Sequence, residues 1–275
     1  MEMHFSDRIK AMQTSPIRRL IPFADEAKSK GKKVFHLNIG QPDIRTPGEY
    51  FEAIRNFKVE TVAYATSQGN NDLRDAVSAY YKSWDIPYER DDIYVTNGGS
   101  EALWFAVMTI CDPGDELLVP EPFYANYNAF AQSSLARLVP IPTRAEEGFH
   151  LPPASVIEKL VTPRTRAIWI SNPGNPTGAV YTPAELEMLA GLAKKHDLYL
   201  IADEVYREFT YDGEKFTSLG HMKDVLDRVI MVDSVSKRFS ACGARIGTIA
   251  IKNRDFMGQV LKLCQGRLCV STLEQ

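Results

Sequence analysis

Short apolar runs alternate along the chain with stretches that carry apolar residues at helical spacing. Helical spacing is clear over residues 71–84, 100–111 and 183–195. Strands are predicted at residues 92–96, 117–119, 138–141, 167–171, 198–202, 229–233 and 247–251. Most of these runs do not alternate with polar residues, which is typical of strands that helices cover on both faces. The pattern predicts an α/β fold, a three-layer α/β/α sandwich around a mainly parallel seven-stranded sheet.

The first 45 residues depart from this alternation. They hold several prolines and one predicted helix at residues 23–30. We therefore interpret residues 1–45 as an N-terminal arm and part of a second, small domain. Residues 46–275 form the predicted large, ligand-binding domain.

Composition excludes several classes of protein. The chain has 32 basic and 35 acidic residues in 275, without a basic block, which disfavours a nucleic-acid partner. It has no apolar run that could span a membrane and does not begin with a secretion signal, so a cytoplasmic location is predicted. Four cysteines without a CxxC pair and five histidines without metal-ligand spacing disfavour both a disulfide framework and a metal site.

Ligands of such sheets bind beyond the carboxyl ends of the strands, which directs attention to the segments that follow them. Gly98, Gly99 and Ser100 join a predicted strand to a helix, where free N–H groups could bind an anion. The alternative interpretation is a glycine-rich turn with Ser100 as the helix N-cap. Residues 172–178 contain two prolines and two glycines, and this loop could fix the amide of Asn175 or could be a tight turn.

Two further segments carry ionisable groups past buried strands. Asp203 could face a bound cation or cap a following helix, and Tyr206 lies one turn further along. Lys237 could be a solvated surface charge or a Schiff-base lysine. Arg245 follows it by eight residues, and an arginine suits an anionic phosphate.

Together these motifs resemble the fold-type I enzymes that use pyridoxal 5′-phosphate (PLP), specifically class I and II aminotransferases, with aspartate aminotransferases closest. The matching pieces occur in family order along the chain: Gly40-Gln41-Pro42-Asp43, Tyr64 with Gly69 and Leu73-Arg74, Gly98-Gly99-Ser100, Pro122-Phe123-Tyr124, Asn175-Pro176-Thr177-Gly178, Asp203-Glu204-Val205-Tyr206, and Ser234-Val235-Ser236-Lys237 with Arg245.

The resemblance implies a role for each residue around the cofactor ring. Lys237 holds PLP as a Schiff base and carries the proton of the substrate. Asp203 keeps the pyridine nitrogen protonated, which makes the ring an electron sink. Asn175 and Tyr206 bind the phenolic oxygen, and Tyr124 stacks on the ring, where many members carry tryptophan.

It also implies how the phosphate and the substrate are held. Gly99, Ser100, Ser234 and Arg245 bind the phosphate, and Tyr64 reaches the phosphate of the neighbouring subunit in a homodimer. The backbone of Gly40, with Asn175, contacts the substrate. The bonds Glu121–Pro122 and Asn175–Pro176 are expected to be cis.

The resemblance predicts transfer of an amino group between an L-amino acid, with aspartate a candidate, and a 2-oxo acid such as 2-oxoglutarate. Family members continue beyond the position of Gln275, and no arginine here matches the one that grips the substrate α-carboxylate. We therefore expect an incomplete small domain. If the polypeptide ends at Gln275, we expect weak or no PLP binding and poor transamination. A β-lyase, a decarboxylase and a non-catalytic PLP-binding module stay open as alternatives, because PLP commits an enzyme only to carbanion chemistry at Cα.

Overall fold

The computed structural model describes residues 3–38 and 40–275, and its centre is one seven-stranded sheet. The strands are β1 (Ile93–Asn97), β2 (Glu116–Glu121), β3 (Arg137–Pro142), β4 (Thr165–Ser171), β5 (Tyr199–Asp203), β6 (Val229–Ser234) and β7 (Ile246–Ala250). Their order across the sheet is β1-β7-β6-β5-β4-β2-β3. β7 runs antiparallel to both of its neighbours, and the other pairs are parallel. This confirms the predicted mainly parallel sheet.

Ten α-helices accompany the strands in the described residues. They are α1 (Asp7–Ala11), α2 (Ile21–Ser29), α3 (Gly48–Asn56), α4 (Asn71–Ser83), α5 (Gly98–Ile110), α6 (Asn126–Ser133), α7 (Ala154–Glu158), α8 (Pro183–His196), α9 (Val235–Arg238) and α10 (Arg254–Arg267). Among the described residues, every helix is too short or too polar to cross a bilayer.

Two apolar clusters cover the two faces of the sheet. Alternate residues of β4 show the division, because Ile168 and Ile170 pack with α4, α7 and α8 while Trp169 packs with α5, α6 and α10. Successive side chains of a strand point to opposite faces, so a strand buried on both sides needs apolar residues at every position. The continuous apolar runs are therefore explained, and the predicted three-layer sandwich is confirmed.

Local differences from the sequence predictions have simple causes. α5 begins at Gly98 and not at residue 100, so its N-cap is Asn97 and the alternative role of Ser100 as the N-cap is wrong. Gly98 has φ +76°, a conformation open to glycine, and this lets the helix start directly after β1. Turns follow Asp203, so the alternative of a cap for a following helix is also wrong.

The N-terminal segment is much more exposed than the sandwich. None of the residues of α1, α2 and α3 is buried. The segment returns to the sandwich near α9, where Thr46 Oγ1 donates to the Ser240 carbonyl (2.7 Å) and Ser240 Oγ donates to the Pro42 carbonyl (3.3 Å). These contacts place residues 40–46 over the carboxyl end of the central strands.

Candidate active site

The polar residues predicted from the sequence collect at the carboxyl ends of β4, β5 and β6. Ser171 at the end of β4 is paired with Asp203 at the end of β5, and Asp203 is paired with Val232 of β6. The start of α5 packs against the same edge, because a Cβ added to Gly99 would lie 3.7 Å from Cβ of Ser234. Parallel strand order therefore brings together residues that are 135 positions apart, from Gly99 to Ser234.

Asp203 is a buried carboxylate that keeps one oxygen free. Its side chain lies in the core with 5% of the residue exposed, and its Oδ2 accepts a hydrogen bond from Tyr127 Oη at 2.7 Å. Its Oδ1 has no partner among the described residues. Burial raises the pKa of this carboxyl to about 6, although the bond from Tyr127 opposes the shift. A carboxylate in this state favours a cationic ligand at Oδ1.

Tyr127 is a site residue that the sequence analysis missed. It is buried, and its ring stacks on Trp169 with a centroid distance of 3.9 Å. Tyr124, whose side chain is half-buried, meets the ring of Tyr127 edge to face at 5.6 Å. The available signal was the spacing of three between these tyrosines in a segment that follows a strand. That spacing does not distinguish a site residue from a core aromatic residue.

Lys237, Tyr206, Asn175 and Gly40 form a second group around the same opening. Lys237 Nζ donates to the Gly40 carbonyl at 2.7 Å and lies 5.8 Å from the ring centroid of Tyr206. Asn175 Nδ2 donates to Tyr206 Oη at 3.5 Å. Burial, with a contribution from the charge of Asp203, raises the pKa of Tyr206 to about 12. Tyr206 is therefore a neutral hydroxyl that can donate a hydrogen bond at physiological pH.

The loop that carries Asn175 is held by a buried asparagine. Asn172 Nδ2 donates to the Thr217 carbonyl at 2.9 Å, and its Oδ1 accepts from the Tyr181 N–H at 3.1 Å. The peptide bonds Glu121–Pro122 and Asn175–Pro176 are cis, as predicted, and Asn172–Pro173 is also cis. The hydrogen bonds of Asn172 anchor the start of the loop, and the amide of Asn175 faces Tyr206.

The guanidinium of Arg245 lies where α5 begins. Arg245 donates to the carbonyls of Cys242 (2.9 Å) and Asn97 (3.3 Å), and its side chain is exposed. A Cβ on Gly98 would meet the Arg245 guanidinium at 2.3 Å, so only glycine allows the arginine to lie there. α5 begins beside this guanidinium at Gly98, and the N–H groups of its first turn, which includes Gly99 and Ser100, have no partner within the helix. Cation and helix terminus together favour a phosphate.

Comparisons with known proteins identify the family. The family model "Aminotransferase class I and II" matches residues 32–275. The chain belongs to the class I and II aminotransferase family. It is 35% identical to the putative aminotransferase YugH of Bacillus subtilis, in an alignment of 281 positions that covers the whole chain. It is 34% identical over 244 residues, 88% of the chain, to the aspartate/prephenate aminotransferase of Thermus thermophilus. The chain spans 70% and 62% of the lengths of these two proteins.

Solved structures of the family confirm the fold. The aspartate aminotransferase of Thermus thermophilus with maleate superposes with a TM-score of 0.92 at 31% identity, covering all of this chain and 71% of that one. An alanine aminotransferase from Pyrococcus furiosus gives a TM-score of 0.90 at 32% identity, covering 98% of this chain and 70% of that one. The family uses PLP, so the predicted cofactor is also confirmed.

The residues present fit this cofactor. The unpartnered Oδ1 of Asp203 suits a protonated ring nitrogen, because a buried carboxylate needs a cationic partner. The half-buried ring of Tyr124 lies beside the Asp203–Tyr127 pair. Arg245 and the first turn of α5 suit the phosphate group. A ligand with a cation at one end and a phosphate at the other therefore matches both ends of the site.

Ser234 has other surroundings than expected, and Tyr64 lies on the surface of the chain. The Oγ of Ser234 accepts from the Ser236 N–H (3.0 Å) as the N-cap of α9 and bonds the Ile246 carbonyl (3.0 Å), so its hydroxyl is already satisfied. Tyr64 is 81% exposed. A single protomer thus does not bring Tyr64 into its own site.

Proposed function

We propose that this chain is the PLP-binding part of an aminotransferase that moves an amino group between an L-amino acid and a 2-oxo acid. Residues 46–275 form its cofactor-binding domain in this proposal. Aspartate and 2-oxoglutarate are the substrates to test first, because several relatives carry aspartate in their names. The observation that carries the proposal is the buried Asp203, with its free Oδ1, in the same site as Lys237.

Each residue of the site then has a defined task. PLP, when bound, supplies an electron sink for the electrons left at the substrate Cα. Asp203 holds a proton on the ring nitrogen through its Oδ1. Asn175 and the neutral Tyr206 donate hydrogen bonds to the phenolic oxygen. Arg245 with Gly99 and Ser100 would hold the phosphate. Ser234 caps α9, the helix that carries Lys237.

Lys237 is the residue that we assign to proton transfer. Its Nζ would hold the cofactor and would serve as the base that accepts the Cα proton of the substrate. Tyr206 lies beside it, with the ring centroid 5.8 Å from Nζ. The Gly40 carbonyl holds Nζ in the described structure at 2.7 Å, which keeps the amine at the mouth of the site.

The half-reaction tests this assignment. Purified protein loaded with PLP is mixed with aspartate alone, and the 2-oxo acid formed is measured per site. Formation of up to one equivalent of 2-oxo acid from aspartate, with no free ammonia, supports transamination. Release of ammonia together with a 2-oxo acid from an amino acid that carries a β leaving group, such as β-chloroalanine, indicates a β-lyase. Formation of β-alanine or alanine from aspartate, with carbon dioxide and without a 2-oxo acid, indicates a decarboxylase. Binding of PLP without any of these products indicates a non-catalytic module.

We also propose that the chain works as a homodimer in which Tyr64 completes the site of the partner. Tyr64 and several large apolar residues before it are exposed, among them Phe35 (70%) and Leu37 (95%). Such a concentration of exposed apolar side chains in one segment is typical of an interaction surface.

A mixing experiment tests this arrangement. Tyr64→Phe and Lys237→Ala chains are denatured together, refolded and titrated with PLP. A mixed dimer contains one site with both residues intact, so the mixture should bind PLP more tightly than either variant alone. Equal affinity in the mixture and in the separate Tyr64→Phe variant would contradict the shared site, and a monomeric mass for the wild type would contradict the dimer.

A further inference from the structure

Four charged side chains form a buried cluster behind the site. We call Glu204, Arg207, Asp233 and Arg238 the charged cluster. The side chains of Glu204, Arg207 and Asp233 are at most 4% exposed, and that of Arg238 is 14% exposed. Two carboxylates face two guanidiniums, so the cluster has no formal net charge. Buried charges persist in proteins only when they are paired and hydrogen-bonded in this way.

Hydrogen bonds connect the members of the charged cluster. Arg207 donates to Glu204 Oε2 (2.9 Å) and to Asp233 Oδ2 (3.0 Å), so it joins the ends of β5 and β6. Arg238 donates to the same Asp233 Oδ2 (3.4 and 3.5 Å), and its guanidinium lies 3.7 Å from the ring centroid of Tyr80. Burial disfavours the charge of Arg207, but Asp233 and Glu204 outweigh that cost and raise the pKa of its guanidinium.

The residues of the charged cluster are sequence neighbours of residues of the candidate site. Glu204 follows Asp203, Asp233 precedes Ser234, and Arg238 follows Lys237. Asp203 turns its side chain to Tyr127 on one side of the sheet, whereas Glu204 turns to Ser218 on the other, with Ser218 Oγ donating at 2.8 Å. Each member of the cluster therefore fixes the backbone next to a residue that we assign to the cofactor.

We propose that the charged cluster positions Lys237 relative to Asp203, with Arg238 as the positioning residue that ties α9 to the strand ends. α9 has only four residues, so its own hydrogen bonds do little to orient it. Arg238 is the last of these residues, and its side chain contacts Asp233 and Tyr80. The inference rests on the proposed function, because positioning matters only where Lys237 attaches PLP.

The experiment compares cofactor binding with stability in matched variants. Arg238→Met removes the charged bond to Asp233, and Arg238→Lys keeps a cation there. Arg166→Met is the control, because Arg166 donates to the buried Asp115 at 2.9 and 3.1 Å at the opposite edge of the sheet. For each protein we would measure the PLP dissociation constant, the visible circular dichroism of bound PLP, borohydride trapping on Lys237, and the thermal midpoint.

Arg238→Met should raise the PLP dissociation constant at least about tenfold and reduce the visible dichroism, as expected for a lost charged hydrogen bond. Arg238→Lys should recover most of both, and Arg166→Met should lower the thermal midpoint while binding PLP like the wild type. If Arg238→Met only loses stability, as the control does, the positioning role is contradicted. Arg238→Gln, which keeps hydrogen-bond donors and removes the charge, gives the same decision if Arg238→Met does not fold. A wild-type chain that attaches no PLP to Lys237 contradicts the proposed function itself.

Discussion

Asp203 is a carboxyl group whose burial opposes its charge when no cation is bound. Its pKa lies at about 6 in the folded chain, against an ordinary value of 3.8. Between these two values the folded state holds a proton that the unfolded state has released. The contribution of Asp203 to stability therefore falls as the pH rises from about 4 to about 6, and above that range the whole penalty is present.

Asp203→Asn should for this reason stabilise the cofactor-free chain at pH 7.5 relative to the wild type. The expected gain in the free energy of unfolding is about 1–3 kcal/mol, and it should disappear near pH 4, where the carboxyl is protonated. Urea unfolding of both proteins at several pH values measures this difference. A difference that does not change with pH would contradict the assigned pKa.

The same substitution should also slow the half-reaction with aspartate. An asparagine amide at this position cannot supply the negative charge that keeps the ring nitrogen of PLP protonated, so the half-reaction with aspartate should slow by at least about a hundredfold. Single-turnover kinetics in saturating PLP separates this effect from weaker cofactor binding. A rate within a few-fold of the wild type would remove Asp203 from the mechanism.

Tyr127→Phe tests the hydrogen bond that orients Asp203. The ring would keep its place on Trp169, but Asp203 Oδ2 would lose its 2.7 Å partner, and the pKa of the carboxyl should rise further. We expect PLP affinity to fall roughly three- to thirtyfold and stability to fall by about 1 kcal/mol. Tyr88→Phe is the control, because Tyr88 Oη is also buried but donates to the Val229 carbonyl in the core. Equal effects on PLP binding in both variants would contradict the role of Tyr127.

At the scale of elements, the start of α5 depends on the missing side chain of Gly98. Gly98→Ala would place a Cβ 2.3 Å from the Arg245 guanidinium in a backbone of positive φ, so the arginine must move from the helix terminus. We expect PLP affinity to fall at least about tenfold, with a loss of stability of about 1 kcal/mol.

Gly114→Ala provides the matched control for this change. Gly114 also has positive φ (+86°), and a Cβ there would approach the Arg164 guanidinium at 2.7 Å, outside the candidate site. The control should lose similar stability and bind PLP like the wild type, as measured by PLP titration and thermal unfolding. If both variants lose PLP affinity to the same degree, the effect comes from general strain and not from displacement of Arg245.

At the scale of the whole molecule, the elements could be predicted but their arrangement could not. The seven strands follow from continuous apolar runs, because a strand covered on both faces leaves no polar position free. The position of β7 between β1 and β6 depends on pairing between distant segments, such as Tyr94 with Ile249, which no local pattern encodes.

Some residues of the candidate site could also be predicted from the sequence, and others could not. Asp203 and Lys237 could be predicted because each is a charged residue beyond a buried strand, and Arg245 because it follows Lys237 by eight residues. Tyr127 and the charged cluster could not be predicted. Their contacts with the site depend on side chains far along the chain, such as Asp203 for Tyr127 and Asp233 for Arg207. The hydroxyl of Ser234 has partners in α9 and β7 that the motif alone does not reveal.

All of the proposed roles depend on attachment of PLP to Lys237 in the site that contains Asp203. The most direct measurement is to incubate the chain with PLP, reduce it with borohydride and locate the modified lysine by peptide mass spectrometry. We expect one labelled peptide that contains Lys237, and loss of that label in Lys237→Ala. A label on another lysine, or label spread over surface lysines to the same extent in both proteins, would contradict it.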